Sequence, residues 1–358
     1  MTPDESRGMV VRLAPTSLRA SPRVSVVVPC YNYGHYLSGC LKSVLGQEGV
    51  DVDVIVVDDA SPDDSLAVAQ GLAQRHPRVQ VIAHAVNAGH IATYNDGLRA
   101  ATGEYVVVLS ADDLLTPGSL SRATALLESD DDIAFVYGFP LMFEGSPPPS
   151  RTTAMSWSVW AGSEWIARCC ARGSAPVVNP EVVMRRTVLQ QVGDYDQDLP
   201  HAADMLLWLQ AAKHGKVGRV NGCDQAYYRL HGANMHLNDY AGYLVDLEQR
   251  ALVFEKLLLA EDAQALSPRS LLRRAQRVLA AEALRIANNA HDEGDRSDLD
   301  RYRDFAVAQW PGVVGTMSYR SYARRRSGNA TGLDRRVALL DWRLRHIVRW
   351  RRWRRYGL

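Results

Sequence analysis

Two adjacent carboxylates, Asp112 and Asp113, are the residues of this chain whose type and position most directly indicate chemistry. They follow the apolar run Tyr105–Leu109, which is typical of a strand covered on both faces in a parallel sheet. The carboxyl ends of such strands line the crevice where open α/β sheets bind ligands. Carboxylate oxygens at that place suit a hard divalent cation that bridges to a phosphate. An Asp-rich turn without a ligand is the alternative, because Asp side chains also stabilise turns.

Three more predicted strands must position this pair, and each also ends in polar residues. The strands are expected over Val24–Val28, Val52–Val57 and Val79–His84. Tyr31, Asp59 and the turn over residues 87–90 follow them in that order. The repeat of strand, polar end and helix predicts an α/β fold with a doubly wound sheet. Four strand ends would then supply their polar side chains to one rim.

The starts of two helices are predicted from their capping residues. Ser61 with Pro62, and Thr116 with Pro117, each pair an N-cap hydroxyl with a proline at the first helical position. We therefore expect a helix to follow each of these two strands directly.

The motifs at the strand ends resemble those of family 2 of the inverting glycosyltransferases. The matching runs are Val24–Asn32, Val56–Ser65, Asn87–Gly89 and Gly103–Asp113. The similarity extends from Pro22 to about His231 in the order and spacing of that family. It implies the GT-A fold, a Rossmann-like mixed sheet flanked by helices, and a nucleotide-sugar donor. No glycine-rich phosphate loop follows Val28, which argues against a dinucleotide-binding domain, a P-loop protein and a nucleotidyltransferase.

The resemblance implies roles for five residues at the donor side. Pro29 and Tyr31 would border the uracil, and Asp59 would read the base or the ribose. Asp112 would face the ribose. Asp113 would bind Mn²⁺ or Mg²⁺ across the two phosphates.

Three further residues are candidates for donor contacts, each with a structural alternative. His231 lies in Tyr228–Asn234, a stretch that resembles the end of the family's catalytic domain. It would complete the metal shell or contact the diphosphate, because imidazole serves as a ligand and imidazolium as a donor. Arg229 would offset the charge of the diphosphate, and His90 would line the uracil pocket. A histidine satisfied within the protein and a surface ion pair are the alternatives.

Asp204 is the candidate general base. In the family an acidic residue near the start of a helix, followed by apolar residues, deprotonates the acceptor, and Asp204 occupies that place. Ala203 stands where the family often has an acid. An Asp that only complements the helix dipole is the alternative. Asp194 and Asp196 would bind acceptor hydroxyls or form a polar turn.

Composition bounds the class of protein. The chain has 358 residues, of which 47% are hydrophobic, and a net charge of +1. This supports a substantial core and gives no broad signal for nucleic acid. The five cysteines form no C-x-x-C pair, which indicates a reducing compartment. Without a signal peptide or a membrane-spanning run, we expect a cytoplasmic protein.

Domain boundaries follow from shifts in composition. We expect a flexible tail over residues 1–21 and a catalytic domain over 22–240, with the donor half ending near residue 144. The run Gly145–Ser150 predicts a surface loop between the halves, and Pro176–Arg185 is strand-like. A helical extension is expected over 241–310, because apolar residues recur at helical spacing in 244–258 and 271–288. Residues 311–358 form a basic Arg/Trp-rich segment.

The last 24 residues predict a basic amphipathic helix from about Arg335. They contain nine arginines, three tryptophans and one acid, Asp341. Leu340, Leu344, Ile347 and Val348 form an apolar stripe at helical spacing. Such a helix suits peripheral binding at the inner face of a membrane. Packing on its own domain and a homodimer contact are the alternatives.

These observations together predict a metal-dependent inverting glycosyltransferase. The expected donor is a UDP-sugar, with UDP-N-acetylglucosamine or UDP-glucose favoured. The acceptor stays open among a saccharide, a lipid-linked sugar and a small natural product. A non-catalytic nucleotide-sugar-binding or scaffold module of the same fold is the alternative function.

Overall fold

The computed structural model describes residues 10–232, 243–260 and 267–330, together with 347, 348, 350, 351 and 353. These residues form two compact units. The first holds residues 10–165 and 177–232, and the second holds 166–176 and the described residues from 243 onward. Residues 166–176 lie within the catalytic domain predicted over 22–240 but belong to the second unit. The predicted end of that domain at residue 240 lies outside the described residues.

The first unit alternates strands and helices. In chain order the strands are β1 (Val11–Leu13), β2 (Arg23–Cys30), β3 (Asp51–Asp58), β4 (Val79–Ala83), β5 (Tyr105–Val108), β6 (Leu114–Leu115), β7 (Ile133–Tyr137), β8 (Pro140–Phe143), β9 (Ser156–Trp160), β10 (Val183–Arg185), β11 (Lys216–Asn221) and β12 (Ala226–Arg229). The helices among them are α1 (Gly34–Leu45), α2 (Ser65–Arg75), α3 (His90–Ala100), α4 (Ser119–Glu128), α6 (Arg186–Val192) and α7 (Ala203–Ala211). Helix α5 (Gly162–Arg172) begins in the first unit, and its residues 166–172 belong to the second.

The main sheet has the order β1-β9-β11-β7-β10-β5-β2-β3-β4. Strands β5, β2, β3 and β4 run parallel to one another, whereas β10 is antiparallel to both of its neighbours. The predicted α/β fold with a mixed sheet is therefore confirmed. Because the four parallel strands end at the same edge, the residues that follow them come together there.

A small second sheet has the order β6-β12-β8, and its strands directly follow β5, β11 and β7 in the chain. Leu115 pairs with Ala226, and Leu114 pairs with Tyr227. This pairing places the strand that ends at Arg229 beside the segment that follows Asp113. Residues more than one hundred positions apart in sequence thereby meet at the sheet edge.

The core is formed by β-branched strand residues. Val26 and Val27 have side chains on opposite faces of β2, and both are fully buried. Helices thus cover the central strands on both faces, as expected for parallel strands. Helix α3 approaches β2 so closely that a Cβ at Gly97 would lie 2.2 Å from Cγ1 of Val27. Glycine at this position allows the helix to pack directly on the sheet.

Helix α4 begins later than its sequence predicts. It starts at Ser119, because Gly118 adopts a left-handed conformation, with φ of 71°, just before it. The predicted cap, Thr116, instead donates its hydroxyl to the carbonyl oxygen of Asp224 at 2.6 Å. This hydroxyl fixes a long-range contact rather than a helix end.

Helix α2 also begins later than predicted, at Ser65. The expected cap, Ser61, donates its hydroxyl to Oδ1 of Asp58 at 2.6 Å and accepts from the backbone N–H of Asn32 at 3.0 Å. The hydroxyl therefore links the ends of β2 and β3. These two partners occupy the hydroxyl that would otherwise cap the helix.

The segment predicted as a flexible tail contains strand β1. Val11 pairs with Val159 and Leu13 with Trp157, so β1 forms one edge of the main sheet. The edge supplies backbone partners that the local sequence does not reveal. The loop over Gly145–Ser150 has neither helix nor strand, as expected, and the strand-like run after Pro176 shortens to a 3-10 turn and β10.

The second unit is helical. It contains α8 (Tyr243–Leu259), α9 (Pro268–Glu293), α10 (Leu299–Gln309) and α11 (Met317–Arg326). Buried Leu247, Phe254 and Leu284 lie on the inner faces that the helical spacing predicts. Most of the basic helix expected from Arg335 lies outside the described residues. No helix in the described part of the chain is long and apolar enough to cross a bilayer.

Candidate active site

Asp112 and Asp113 lie at the carboxyl edge of the sheet and are only 6% and 2% exposed. The backbone N–H of Arg229 donates to Oδ1 of Asp113 at 2.9 Å, and its Nε donates to the carbonyl oxygen of Asp112 at 2.8 Å. Nε2 of His231 lies 3.0 Å from Oδ2 of Asp112. The structure thus brings together both carboxylates and the histidine that the sequence singles out.

Two neighbouring buried carboxylates concentrate negative charge at this place. Burial, followed by the charge of Asp112, raises the pKa of Asp113 well above its usual range, and Arg229 opposes this shift. A divalent cation would offset the charge, and Mn²⁺ and Mg²⁺ prefer oxygen ligands. Among the described residues no three His, Cys, Asp or Glu side chains form a complete metal site. A cation held by the pair would take its further ligands from a diphosphate and water.

An aromatic cluster packs beside the carboxylates. The guanidinium of Arg229 lies 4.6 Å from the ring centroid of Tyr36 and 4.5 Å from that of Phe143. The His231 ring lies 5.4 Å from Tyr36 and 5.6 Å from Tyr33. These contacts orient Arg229 and His231 beside the pair.

Sequence reasoning misses Tyr33 and Tyr36. The one signal for them is the density of aromatic residues directly after β2. Tyr31, the predicted uracil contact, is 48% exposed, and Pro29 is half-buried. Burial, with the charge of Asp112 second, raises the pKa of Tyr33, so that its hydroxyl stays protonated.

Asp59 is buried at the end of β3 and holds the turn that follows β4. Its Oδ1 accepts from the N–H of Ala88 at 2.7 Å, and its Oδ2 accepts from the N–H of Gly89 at 2.9 Å. Nδ1 of His84 lies 2.8 Å from Oδ1. Burial opposes ionisation, but these hydrogen bonds together lower the pKa of Asp59. An ionised carboxylate therefore organises this part of the edge.

His90 contacts the segment that leads into α7. It begins α3, and its Nε2 lies 2.7 Å from the carbonyl oxygen of Pro200. The ring also packs against Tyr94, with centroids 5.6 Å apart. Its partners therefore belong to the segment that leads into α7, because the first turn of α3 points toward that segment.

Asp204 lies in the first turn of α7 and is half-buried. Its Oδ1 accepts from the backbone N–H of Met205 at 2.6 Å. Burial raises the pKa of Asp204 to about 6. The helix around it is almost entirely apolar and buried, including Met205, Leu206, Leu207, Trp208 and Leu209. A carboxylate with such a pKa accepts a proton near neutral pH more readily than an ordinary Asp does.

Tyr228 precedes Arg229 in β12 and is half-buried, and sequence reasoning assigns it no role. Burial, followed by the charges of Asp113, Asp112 and Asp204, raises its pKa. The charges of all three carboxylates thus act on one tyrosine.

Asp194 and Asp196, the candidates for binding acceptor hydroxyls, lie in a polar turn. Asp194 pairs with Arg99, and both side chains are largely exposed. Oδ1 of Asp196 accepts from the backbone N–H of Asp198 at 2.9 Å.

Comparison with known sequences identifies relatives of this chain. The model of glycosyl transferase family 2 matches residues 25–193. An uncharacterized glycosyltransferase of Nostoc sp. is 31% identical over 221 residues, which cover 60% of this chain and 67% of the relative. Another, of Haemophilus influenzae, is 25% identical and covers 59% and 66%. The chondroitin synthase of Escherichia coli is 32% identical over 126 residues, 35% of this chain and 18% of that protein.

Solved structures share the fold. S. aureus TarS 1-349 in complex with UDP-GlcNAc has a TM-score of 0.59 and 17% identity, over 90% of this chain and 92% of that chain. The mannosyltransferase PcManGT from Pyrobaculum calidifontis, in complex with GDP-Man and Mn²⁺, has a TM-score of 0.54 and 18% identity, over 88% and 86%. Likeness at this identity supports the GT-A fold alone. With the family model and the Nostoc relative, it follows that the chain belongs to glycosyl transferase family 2 and is a glycosyltransferase.

Proposed function

We propose that the enzyme transfers a sugar from a UDP-sugar to an acceptor hydroxyl with inversion at the anomeric carbon. UDP-N-acetylglucosamine and UDP-glucose are the favoured donors. The observation that carries the proposal is the buried pair Asp112 and Asp113 at the carboxyl edge of the sheet, which Arg229 and His231 contact. A saccharide, a lipid-linked sugar and a small natural product stay open as acceptors.

The donor side rests on residues after β5 and β12. Asp113 would hold Mn²⁺ or Mg²⁺, and Asp112 would face the ribose while it pairs with His231. A bound cation would neutralise charge that develops on the leaving diphosphate. Arg229 and His231 would add donors to phosphate oxygens. The Mn²⁺ in the complex of the mannosyltransferase neighbour supports this assignment.

The nucleoside would lie against the ends of β2 and β3. The exposed ring of Tyr31, with Pro29 beside it, offers a surface for the uracil. Asp59 would read the base or the ribose from a fixed position, because three protein donors hold it. UDP-GlcNAc in the complex of the TarS neighbour supports a UDP-sugar.

The acceptor side rests on Asp204. Its carboxylate would take the proton of the attacking hydroxyl as the new bond forms at the anomeric carbon. Attack from the face opposite the leaving diphosphate inverts the configuration. The pKa of about 6 leaves the carboxylate ionised at neutral pH and still basic enough to accept the proton.

We further propose that the basic C-terminal segment holds the enzyme at the inner face of an anionic membrane. Ile347, Val348 and Trp350 are each about half exposed, as an interfacial contact requires. Nε1 of Trp353, however, donates to the carbonyl oxygen of Pro176 at 2.7 Å, as expected if the segment packs on its own unit. A homodimer contact is the third reading.

A thermal-shift screen tests the proposed donor. The full chain is heated with UDP-N-acetylglucosamine, UDP-glucose or GDP-mannose, each with and without Mn²⁺. We expect the largest rise in Tm with a UDP-sugar and Mn²⁺, and loss of the Mn²⁺ effect in Asp113→Asn. A larger rise with GDP-mannose would contradict the UDP assignment. Binding without any sugar transfer or donor hydrolysis would favour the non-catalytic module.

A further inference from the structure

The segment over residues 193–202 leads into α7 and therefore determines where Asp204 lies. It consists of turns and contains neither helix nor strand. Its position accordingly depends on contacts with other elements, because turns supply few backbone hydrogen bonds of their own. Helix α3 provides these contacts.

Asn95 of α3 binds the backbone of Tyr195. Its Nδ2 donates to the carbonyl oxygen of Tyr195 at 3.0 Å, and its Oδ1 accepts from the N–H of the same residue at 2.7 Å. Asn95 is 2% exposed, so both hydrogen bonds are shielded from water. An amide pairs with a peptide group as a neighbouring strand would, and a carboxylate of the same shape cannot, because it lacks the donor.

His90 and Tyr94 extend this contact along one face of α3. A carbonyl oxygen only accepts, so the 2.7 Å contact with Pro200 requires a hydrogen on Nε2 of His90. The rings of Tyr94 and Tyr195 lie with their centroids 5.3 Å apart. Side chains four residues apart lie on one helix face. Both ends of the turn segment are therefore held by the same rigid element.

The other attachments of α3 reach the proposed nucleoside side. The helix follows the turn whose Gly89 N–H binds Asp59. His84 binds Asp59 through Nδ1, and its Nε2 lies 3.1 Å from Oδ2 of Asp96 on α3. One helix thus contacts the carboxylate at the end of β3 and the segment before Asp204.

We propose that Asn95 and His90 are positioning residues for the general base, and that α3 aligns Asp204 with the donor side. The inference rests on the proposed function, because it takes Asp204 as the base. It also gives His90 a role on the acceptor side of the reaction.

The environment of Asp204 provides a readout that a purely structural role would not move. Titratable groups near Asp204 are His201 on its own segment, Tyr195, which Asn95 holds, and Tyr228 on β12. If Tyr195 moves away, water reaches Asp204 and the desolvation that raises its pKa weakens. The acid limb of the pH–rate profile should then move to lower pH.

The test uses the full chain and four variants. Asn95→Asp removes the donor to Tyr195, His90→Phe removes the donor to Pro200, and His90→Gln retains a donor at a similar position. Arg99→Gln is the matched control, because its exposed ion pair with Asp194 joins the same two elements and contributes little. The rate of UDP release from the UDP-sugar selected by thermal shift is measured from pH 4 to 9. UDP affinity is measured by calorimetry in Mn²⁺.

We expect Asn95→Asp and His90→Phe to lower kcat by about ten- to one-hundred-fold, the usual cost of a small misplacement of a catalytic group. Their acid limbs should fall from about pH 6 toward the ordinary Asp value of about 4. UDP affinity should stay within about twofold of that of the unchanged chain, as should every measured value for Arg99→Gln. His90→Gln should recover most of kcat.

Unchanged kcat and acid limb in both Asn95→Asp and His90→Phe would overturn the proposal, as would equal losses in UDP affinity and kcat. Because Asn95→Asp can fail to fold, the comparison of His90→Phe with His90→Gln decides alone in that case. Asp204→Asn is measured beside them. If it retains the full rate, Asp204 is not the base, and the part of the proposed function on which this inference rests fails. If it is inactive while the α3 variants behave normally, only the positioning role fails.

Discussion

Asp204→Asn should inactivate the enzyme and stabilise it at the same time. The substitution removes the proton acceptor while it keeps the shape of the side chain and the acceptor for the N–H of Met205. Loss of a general base lowers the rate by about 10²- to 10⁴-fold. The same substitution should raise the free energy of unfolding, because it removes a half-buried charge and the folded state disfavours the ionised form of Asp204.

The size of the stability gain follows from the pKa. Burial raises the pKa of Asp204 from 3.8 to about 6, so the folded state binds a proton more tightly than the unfolded state does. Stability of the unchanged chain should therefore fall as pH rises from about 4 to about 6, and the deficit persists above that range. A shift of about two pKa units corresponds to at most about 3 kcal/mol. In a unit of this size the gain in Tm is several degrees, at most about 10 °C.

Differential scanning fluorimetry at pH 5 and pH 8, with donor turnover at both values, measures the two effects. We expect the gain in Tm at pH 8 to exceed that at pH 5, where the carboxyl is largely protonated. Exposed Asp198, in the turn before α7, is the matched control, and Asp198→Asn should change neither quantity. A near-normal rate in Asp204→Asn would show that another carboxylate is the base, and Asp194 and Asp196 come next. A lower Tm at pH 8 would refute the burial argument.

Three further outcomes are expected. Asp113→Ala should abolish transfer and the Mn²⁺ dependence of UDP binding measured by calorimetry, and full turnover in EDTA would exclude the metal role. Gly97→Ala should lower the free energy of unfolding, measured in urea, by about 1–3 kcal/mol or more, because the added methyl group would overpack against Val27. Gly71→Ala in α2, which has open space around it, should raise the free energy of unfolding by about 0.5–1 kcal/mol. Equal effects of the two substitutions would refute the close approach of α3 to the sheet. The full-length chain should co-sediment with anionic liposomes at low salt, and a chain ending at Gly332 should not. If both bind equally poorly, the last segment has a structural role and does not bind membranes.

The sequence predicts the parallel half of the sheet because its signals are local. Each apolar run that ends in polar residues becomes a strand with those residues at its carboxyl edge, as at Asp59 and Asp113. The helical spacing after residue 243 is equally local, and two long helices confirm it. Membership in the glycosyltransferase family follows from motifs of the same kind.

What the sequence does not reveal depends on partners far away in the chain. Thr116 has the local pattern of a helix cap, but the carbonyl oxygen of Asp224 takes its hydroxyl. His90 follows a motif at the donor side, and its ring nevertheless faces Pro200. Asn95 carries no local signal, because its contacts arise only when the segment before α7 reaches α3. Long-range pairing therefore decides the details of the site.

The discontinuity of the two units has a consequence for the order in which the chain matures. Residues 166–176 belong to the helical unit, where the carbonyl oxygen of Gly173 accepts from Nη1 of Arg250 at 2.8 Å. Cys169 and Cys170 are fully buried, and burial raises the pKa of both thiols, to about 12 for Cys170. On the ribosome these thiols emerge long before α8 and α9, which complete their unit. A chain cut at the end of the predicted catalytic domain would keep Cys169 and Cys170 but lose the helices α8 and α9. Rapid reaction of these two thiols with a thiol reagent would show that they are exposed.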